Sequence, residues 1–304
     1  MVSGFINLHK PLTWTSHDCV AKVRGLLKLK KVGHAGTLDP MASGVLPIAL
    51  GRATRLIPFL PEDKTYRAII RFGITTSSDD LEGEIVAQAP VPQLRAAAAI
   101  APLSQFLGTI DQIPPRYSAI QVNGKRLYKL ARQGEAVEVP PRTVTVHQLT
   151  VEGWQGGDFP ELTVTINCSA GTYIRSIARD WGARLGVGAT LAGLVRTASG
   201  GFHLADSLTL EEVATGTNTS TVTPIPPATA LAHIPRLTLP EPTATRWRQG
   251  QKLTLPLTDL PPGTATAYAV FDPTERFLGI TEIAAADSDN GCRLVAKMVY
   301  EAMG

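Results

Sequence analysis

Apolar and polar residues alternate most cleanly in two stretches of this 304-residue chain. In KTYRAIIRF (64–72), Tyr66, Ala68, Ile70 and Phe72 fall on one face and Arg67, Ile69 and Arg71 on the other. A period of two is that of a half-buried strand. LTVTINC (162–168) alternates in the same way and predicts another strand. GFINL (4–8) predicts a shorter one, ended by Lys10-Pro11. A helix is predicted from a cap at Thr15 or Ser16 to about Lys31, with Val20, Val23 and Leu27 on one stripe and the lysines mostly elsewhere. PQLRAAAAIAPLSQFLG (92–108) predicts a helix behind its leading proline. GTYIRSIARDWGARLG (171–186) predicts one with Tyr173, Ile177 and Trp181 on one face and Arg175 and Arg179 on another.

The stretch VATGTNTSTVTPIPPATA (213–230) is polar, Pro-rich and uncharged, which predicts a linker. Beyond it the short runs AYAVF, FLGITEI and CRLVAKMVY predict a small β-rich second domain. Helices do not alternate regularly with strands, so the expected class is α+β rather than doubly wound α/β.

Composition adds a bias in charge. The net charge is only +3, yet residues 1–72 hold eleven Lys and Arg against four Asp and Glu. A basic opening segment points to a polyanionic partner, although a solvated charged face reads the same way. Cys19, Cys168 and Cys292 are few, odd in number and far apart. They form neither a disulfide framework nor a zinc ribbon, and they fit a reducing, cytoplasmic setting. The N-terminus lacks a continuous apolar stretch of the signal-peptide kind, and no segment reads as a membrane span.

Several chemistries are excluded by pattern. No Gly-x-x-x-x-Gly-Lys loop is present, no G-x-G-x-x-G follows a strand, and Ser43 and Ser199 lack a nucleophile-elbow frame. The six histidines make no metal-binding pattern. What remains is Asp39, the one carboxylate in GHAGTLDPMASGVL (33–46). A nucleophile or general base there needs a rigid backbone and a neighbouring cation, and Gly33, Gly36 and Pro40 supply the backbone geometry. An ordinary Asx turn ahead of proline is the alternative. QIPPRYSAIQVNGKRLYKLARQG (112–134) interleaves five Lys or Arg with Tyr117 and Tyr128, the ingredients of RNA binding. An ordinary basic amphipathic helix would look alike.

Taken in order, GHAGTLDPMASGVL, KTYRAIIRFG, QIPPRYSAI, NGKRLYKLARQG, CSAGTYIRSIARDWG and LVRTASGGF resemble the motifs of the bacterial tRNA pseudouridine synthase B family. The resemblance spans about residues 4–210. It implies a pseudouridine synthase fold, with a mixed, mostly antiparallel central sheet. It implies a catalytic domain over 1–212 with a mobile thumb at about 112–142, a linker over 213–235 and a small PUA-like RNA-binding domain over 236–304. The implied activity is isomerisation of the T-loop uridine of tRNA, position 55, to pseudouridine, by a monomer without cofactor or metal. Carried over by motif, Asp39 is the catalytic carboxylate, Tyr66 stacks on the base and Arg175 pairs with Asp39. Leu194 packs in the active site, His34 stands beside the flipped nucleotides and Lys10 belongs to a pocket segment. Tyr173, Lys125, Arg126 and Arg132 are the further expected RNA contacts. The resemblance leaves open whether Asp39 attacks C1′, attacks C6 or abstracts a sugar proton. Two departures, Gln121 where a lysine is usual and Val195 where a second arginine is common, spare the catalytic set. A non-catalytic tRNA chaperone and an RNA-binding scaffold are the rival readings.

Overall fold

The computed structural model describes residues 2–118, 139–218, 222–256, 259–261, 265–285 and 291–300, with the backbone of 121–122 and 125–126. The first domain opens with β1 (Gly4–Lys10), α1 (Ser16–Leu27), β2 (Val32–His34), β3 (Ala42–Leu50) and β4 (Lys64–Phe72). A small hairpin of β5 (Ile74–Thr76) and β6 (Ile85–Gln88) precedes the short helix α2 (Ala96–Ile100) and β7 (Gly108–Gln112). Two-residue strands β8 (Gln121–Val122) and β9 (Lys125–Arg126) pair with each other. Then come β10 (Arg142–Gln155), β11 (Glu161–Cys168), α3 (Ile174–Arg184), β12 (Ala189–Ser199) and β13 (Phe202–His203).

Among the described residues these strands make a nine-stranded sheet in the order β1-β3-β12-β4-β11-β10-β7, with β13 on β12 and β2 on β3. Every pairing is antiparallel except β3 with β12, where Leu194, Val195 and Arg196 lie beside Ala42, Ser43 and Gly44. The architecture is therefore α+β with a mixed, mostly antiparallel sheet. Alternation in β4 and β11 sends Tyr66, Ala68, Ile70, Phe72, Leu162, Val164 and Ile166 into one core. Helix α3 covers that face with Ile177 and Trp181, both buried. Burying each large apolar side chain contributes about 1.5–3 kcal/mol. The opposite face is wet and carries the ion pairs Arg67–Glu152 and Arg71–Glu161.

Three elements depart from the sequence pattern. Helix α1 stops at Leu27, because Lys28 takes a left-handed φ of 52° and closes the last turn with its own N–H. Its start is a capping box, with Thr15 and Asp18 each bonding the other's backbone N–H. The run 92–108 yields only α2 and a 3-10 turn at Leu103–Phe106, since Pro102 has no N–H to extend the helix. The expected linker is folded where it is described. Helix α4 (Leu210–Asn218) buries Val213 against α1 and β1, and Ile225 exchanges backbone hydrogen bonds of 2.7 and 2.9 Å with Phe5.

A one-turn helix, α5 (Pro227–Ala230), leads into the second domain. This is a five-stranded sheet of β14 (Arg236–Thr238), β15 (Leu253–Pro256), β16 (Ala267–Phe271), β17 (Phe277–Ala285) and β18 (Gly291–Val299), with helix α6 (Glu241–Arg248). Phe271, Phe277, Ile280 and Met298 from it join Phe5, Leu56, Leu60 and Phe202 of the first domain in one apolar cluster.

Candidate active site

The loop from β2 to β3 carries Asp39, and its backbone is bonded from several directions. Ser16 Oγ accepts from Leu38 N at 2.9 Å, Thr13 N donates to Pro40 O at 2.8 Å, and Ala42 N donates to Asp39 O at 3.1 Å. Arg196, fully buried on β12, donates to the carbonyls of Gly36, Thr37 and Val45 at 3.1, 3.3 and 2.7 Å. Its strand comes this close because Gly44 has no side chain: a Cβ there would lie 2.2 Å from Arg196 O. The loop is thus held as a rigid presenter of one carboxylate.

That carboxylate turns to Arg175. Arg175 Nη2 lies 2.9 Å from Asp39 Oδ2, with the Arg175 side chain 5% exposed and that of Asp39 36% exposed. The guanidinium fork is divided rather than closed on Asp39. Nη1 lies 3.6 Å from Asp80 Oδ2 and donates to Ser78 O at 3.1 Å, while Nη2 also donates to Tyr117 O at 3.0 Å. Arg175 Nε is buried and finds no hydrogen-bond partner among the described residues. Asp80 is itself buried, with its other oxygen accepting from Glu82 N at 3.1 Å. The arginine therefore sits between two carboxylates, one buried and one reaching solvent. Asp80 was legible only as half of an acidic pair in the turn-rich TTSSDDLEG stretch, with nothing to mark its direction.

A cleft of about 280 Å³ opens beside this pair, lined by Asp39, Lys64, Tyr66, Tyr173, Arg175 and Leu194 among others. That is near the lower edge of ordinary ligand pockets, roughly 300–1,000 Å³. Tyr66 is buried in the cleft lining, where burial raises its pKa and the neighbouring Arg196 pulls it back only in part. Burial likewise raises the pKa of Tyr173. Lys64 has its pKa lowered by burial and then by Arg196. Arg196 was present in the LVRTASGGF motif without a role. Its work is to hold the loop and to face Tyr66.

Other expected contacts lie elsewhere. Lys10 is buried, and its ammonium donates to the carbonyls of Pro11, Trp14 and Pro40 at 2.8, 2.7 and 3.5 Å. It braces the Asp39 loop from behind. His34, half-buried on β2, stands outside the cleft lining, edge-on to His17 with ring centroids 5.4 Å apart. Burial and then His17 lower its pKa, so it is neutral at pH 7. Lys125 and Arg126 are described by backbone alone, as β9, and Arg132 lies outside the described residues. Among the described residues no three His, Cys, Asp or Glu side chains converge as a metal centre requires. No helix there is long and apolar enough to cross a membrane.

Two family descriptions match the chain: "TruB family pseudouridylate synthase (N terminal domain)" over residues 24–174, and "Pseudouridine synthase II TruB, C-terminal" over 235–295. The tRNA pseudouridine synthase B of Trichormus variabilis is 53% identical over 300 residues, covering 99% of each chain. That of Synechocystis sp. is 52% identical over 299 residues, covering 97% of this chain and 99% of its own. Among solved structures, a chain of a Cbf5-Nop10-Gar1 complex superposes with a TM-score of 0.74 at 26% identity, over 98% of this chain and 85% of that one. A chain of an H/ACA RNP bound to a substrate RNA shares the fold at 24% identity, with a TM-score of 0.73.

Proposed function

Since the chain belongs to the TruB family of pseudouridine synthases and isomerises tRNA uridine to pseudouridine, we propose that the reaction takes place in the cleft at Asp39, on the T-loop uridine. The observation that carries this reading is the Asp39–Arg175 pair: a solvent-reaching carboxylate held at 2.9 Å by a buried guanidinium. The isomerisation breaks the N1–C1′ bond, turns the uracil and joins C1′ to C5; C5 gives up its proton and N1 takes one up. Electrons balance without an oxidant or a reductant.

A stacked base cannot enter a cleft of this size with its duplex neighbours, so the uridine is flipped out, at a cost of a few kcal/mol. Tyr66 and Leu194 offer the flipped base an aromatic and an aliphatic wall. Stacking on such an aromatic returns about 1–3 kcal/mol. Asp39 is the group that attacks, and every available route needs its carboxylate ionised beside the sugar or base. Arg175 supplies the opposing charge and the aim. Tyr66 serves first as a stacking surface and second at the C5 proton step, since burial keeps its phenol protonated.

The proposed enzyme acts as a monomer in the cytoplasm, where its tRNA substrate is modified. The test is tritium release from C5-labelled uridine in a T-arm stem-loop, with wild type and Asp39→Asn. Release by wild type alone is expected. Release by both would remove Asp39 from the chemistry, and release by neither with tight tRNA binding would favour a folding role instead.

A further inference from the structure

We infer that Gln112 is a positioning residue for this reaction, seating the first turn of α3 so that Arg175 meets Asp39 and Tyr173 lines the cleft. The proposal rests on the reading of the Asp39–Arg175 pair given above. Helix α3 begins at Tyr173, an N-cap residue with no side-chain cap of its own. The first N–H groups of a helix lack intrahelical acceptors, and an uncapped first turn frays. Gln112, buried at the end of edge strand β7, supplies the missing partner from across the fold. Its Oε1 accepts from Tyr173 N at 3.0 Å, and its Nε2 donates to Tyr173 O at 3.2 Å. That carbonyl also accepts the helical bond from Ile177 N. A glutamine does both because its amide carries a donor and an acceptor in one plane.

The clamp does not stand alone. The chain leaving Gln112 stays on the same helix turn. Ile113 O accepts from Ser176 Oγ and from Arg179 Nη2, each at 2.9 Å. Tyr117 O accepts from Arg175 Nη2, the same nitrogen that faces Asp39. Strand exit and helix entrance are therefore stitched together over residues 112–117, and Arg175 lies inside the stitch. Buried Ile177 and Trp181 fix the body of the helix, two and six residues past Arg175. Gln112 fixes its first turn, two residues before it.

The experiment compares wild type, Gln112→Met and Gln112→Glu in single-turnover tritium release at saturating enzyme, with tRNA Kd measured by filter binding. Methionine keeps the length and removes donor and acceptor. Its rate is expected to fall about ten- to hundredfold, as a misplacement on the order of 1 Å in a catalytic group does. The tRNA Kd should stay within about twofold, because phosphate contacts dominate affinity and only the seating of Tyr173 is disturbed. Glutamate keeps an acceptor for Tyr173 N but turns a second acceptor toward Tyr173 O and buries a carboxyl group, so its rate should fall at least as far as that of the methionine variant. In an Arg175→Lys background the Gln112→Met change should cost less than about threefold, since coupled sites do not add. A wild-type rate in Gln112→Met, an undiminished loss in the Arg175→Lys background, or a loss explained wholly by Kd would each overturn the proposal. Should Gln112→Met fail to fold, Gln112→Glu decides alone, and a wild-type rate there overturns it. Full activity in Asp39→Asn would sink the site itself, whereas an inactive Asp39→Asn beside a fully active Gln112→Met would sink only the role of Gln112.

Discussion

Arg175 spends its two terminal nitrogens on four acceptors, two carboxylates and two carbonyls. A lysine has three donors around one point and cannot reach acceptors spread along a planar fork. Arg175→Lys is therefore expected to lower single-turnover tritium release at least about a hundredfold while tRNA binding holds, a size typical of losing an aimed electrostatic contact. Tyr66 is the second residue where the chemistry can be divided. Burial, only partly offset by Arg196, puts its pKa above the ordinary phenol value. The pH–rate profile should then show no alkaline loss from Tyr66 ionisation below pH of about 10. Tyr66→Phe keeps the ring and drops the hydroxyl. It should leave tRNA Kd unchanged and slow tritium release, and an unchanged rate would confine Tyr66 to stacking.

At the scale of elements, the strand pattern of β4 and β11 was legible in the sequence because one face of each is wet and the other dry. The same clarity failed for the stretch 213–230. Its composition is that of a linker, yet one apolar side chain, Val213, finds a buried seat and the backbone of Ile225 finds Phe5. Such tertiary partners leave no local periodicity. Of the candidate cleft, Asp39, Tyr66, Arg175 and Leu194 were legible through their motifs. Asp80, Gln112 and Arg196 were not, because each acts on a partner distant in sequence, through a turn, a strand end or a buried fork. Lys10 was expected, by resemblance, in a segment of the substrate pocket. Three carbonyls surround its ammonium, and burial lowers its pKa. Lys10→Met should then leave the slope of log K against log salt unchanged, whereas neutralising a phosphate-contacting lysine lowers its magnitude by about 0.9. Thr15→Ala, at the exposed capping box of α1, should lower stability by about 1 kcal/mol in thermal melts without changing the rate.

At the scale of the molecule the two sheets share a core, so stability is a joint property. Asp272 anchors the turn after β16, almost fully buried, accepting from Thr274 N and Oγ1 at 3.0 and 2.7 Å and from Arg276 N and Nε at 3.1 and 2.9 Å. Burial works to raise its pKa, but these hydrogen bonds outweigh it and hold the carboxyl at about 2. A depressed folded-state value means the stabilisation is complete above an unfolded pKa of about 3.9 and is lost as pH falls toward 2. Asp272→Asn should shrink this dependence: the gap in stability between variant and wild type, measured by denaturant titration, should be largest at pH 6 and narrow below pH 4.

The shared apolar cluster also has a consequence for the order of synthesis. Phe5, Leu56, Leu60 and Phe202 leave the ribosome well before the residues that cover them, from Leu231 to Met298. At 5–20 residues per second, the last seventy or so residues take roughly 4–15 s to make. Throughout that interval the nascent catalytic half carries a bare hydrophobic face and lacks the sheet that seals it. Emergence of the second sheet, rather than completion of the first, is then the moment at which this face is sealed against aggregation.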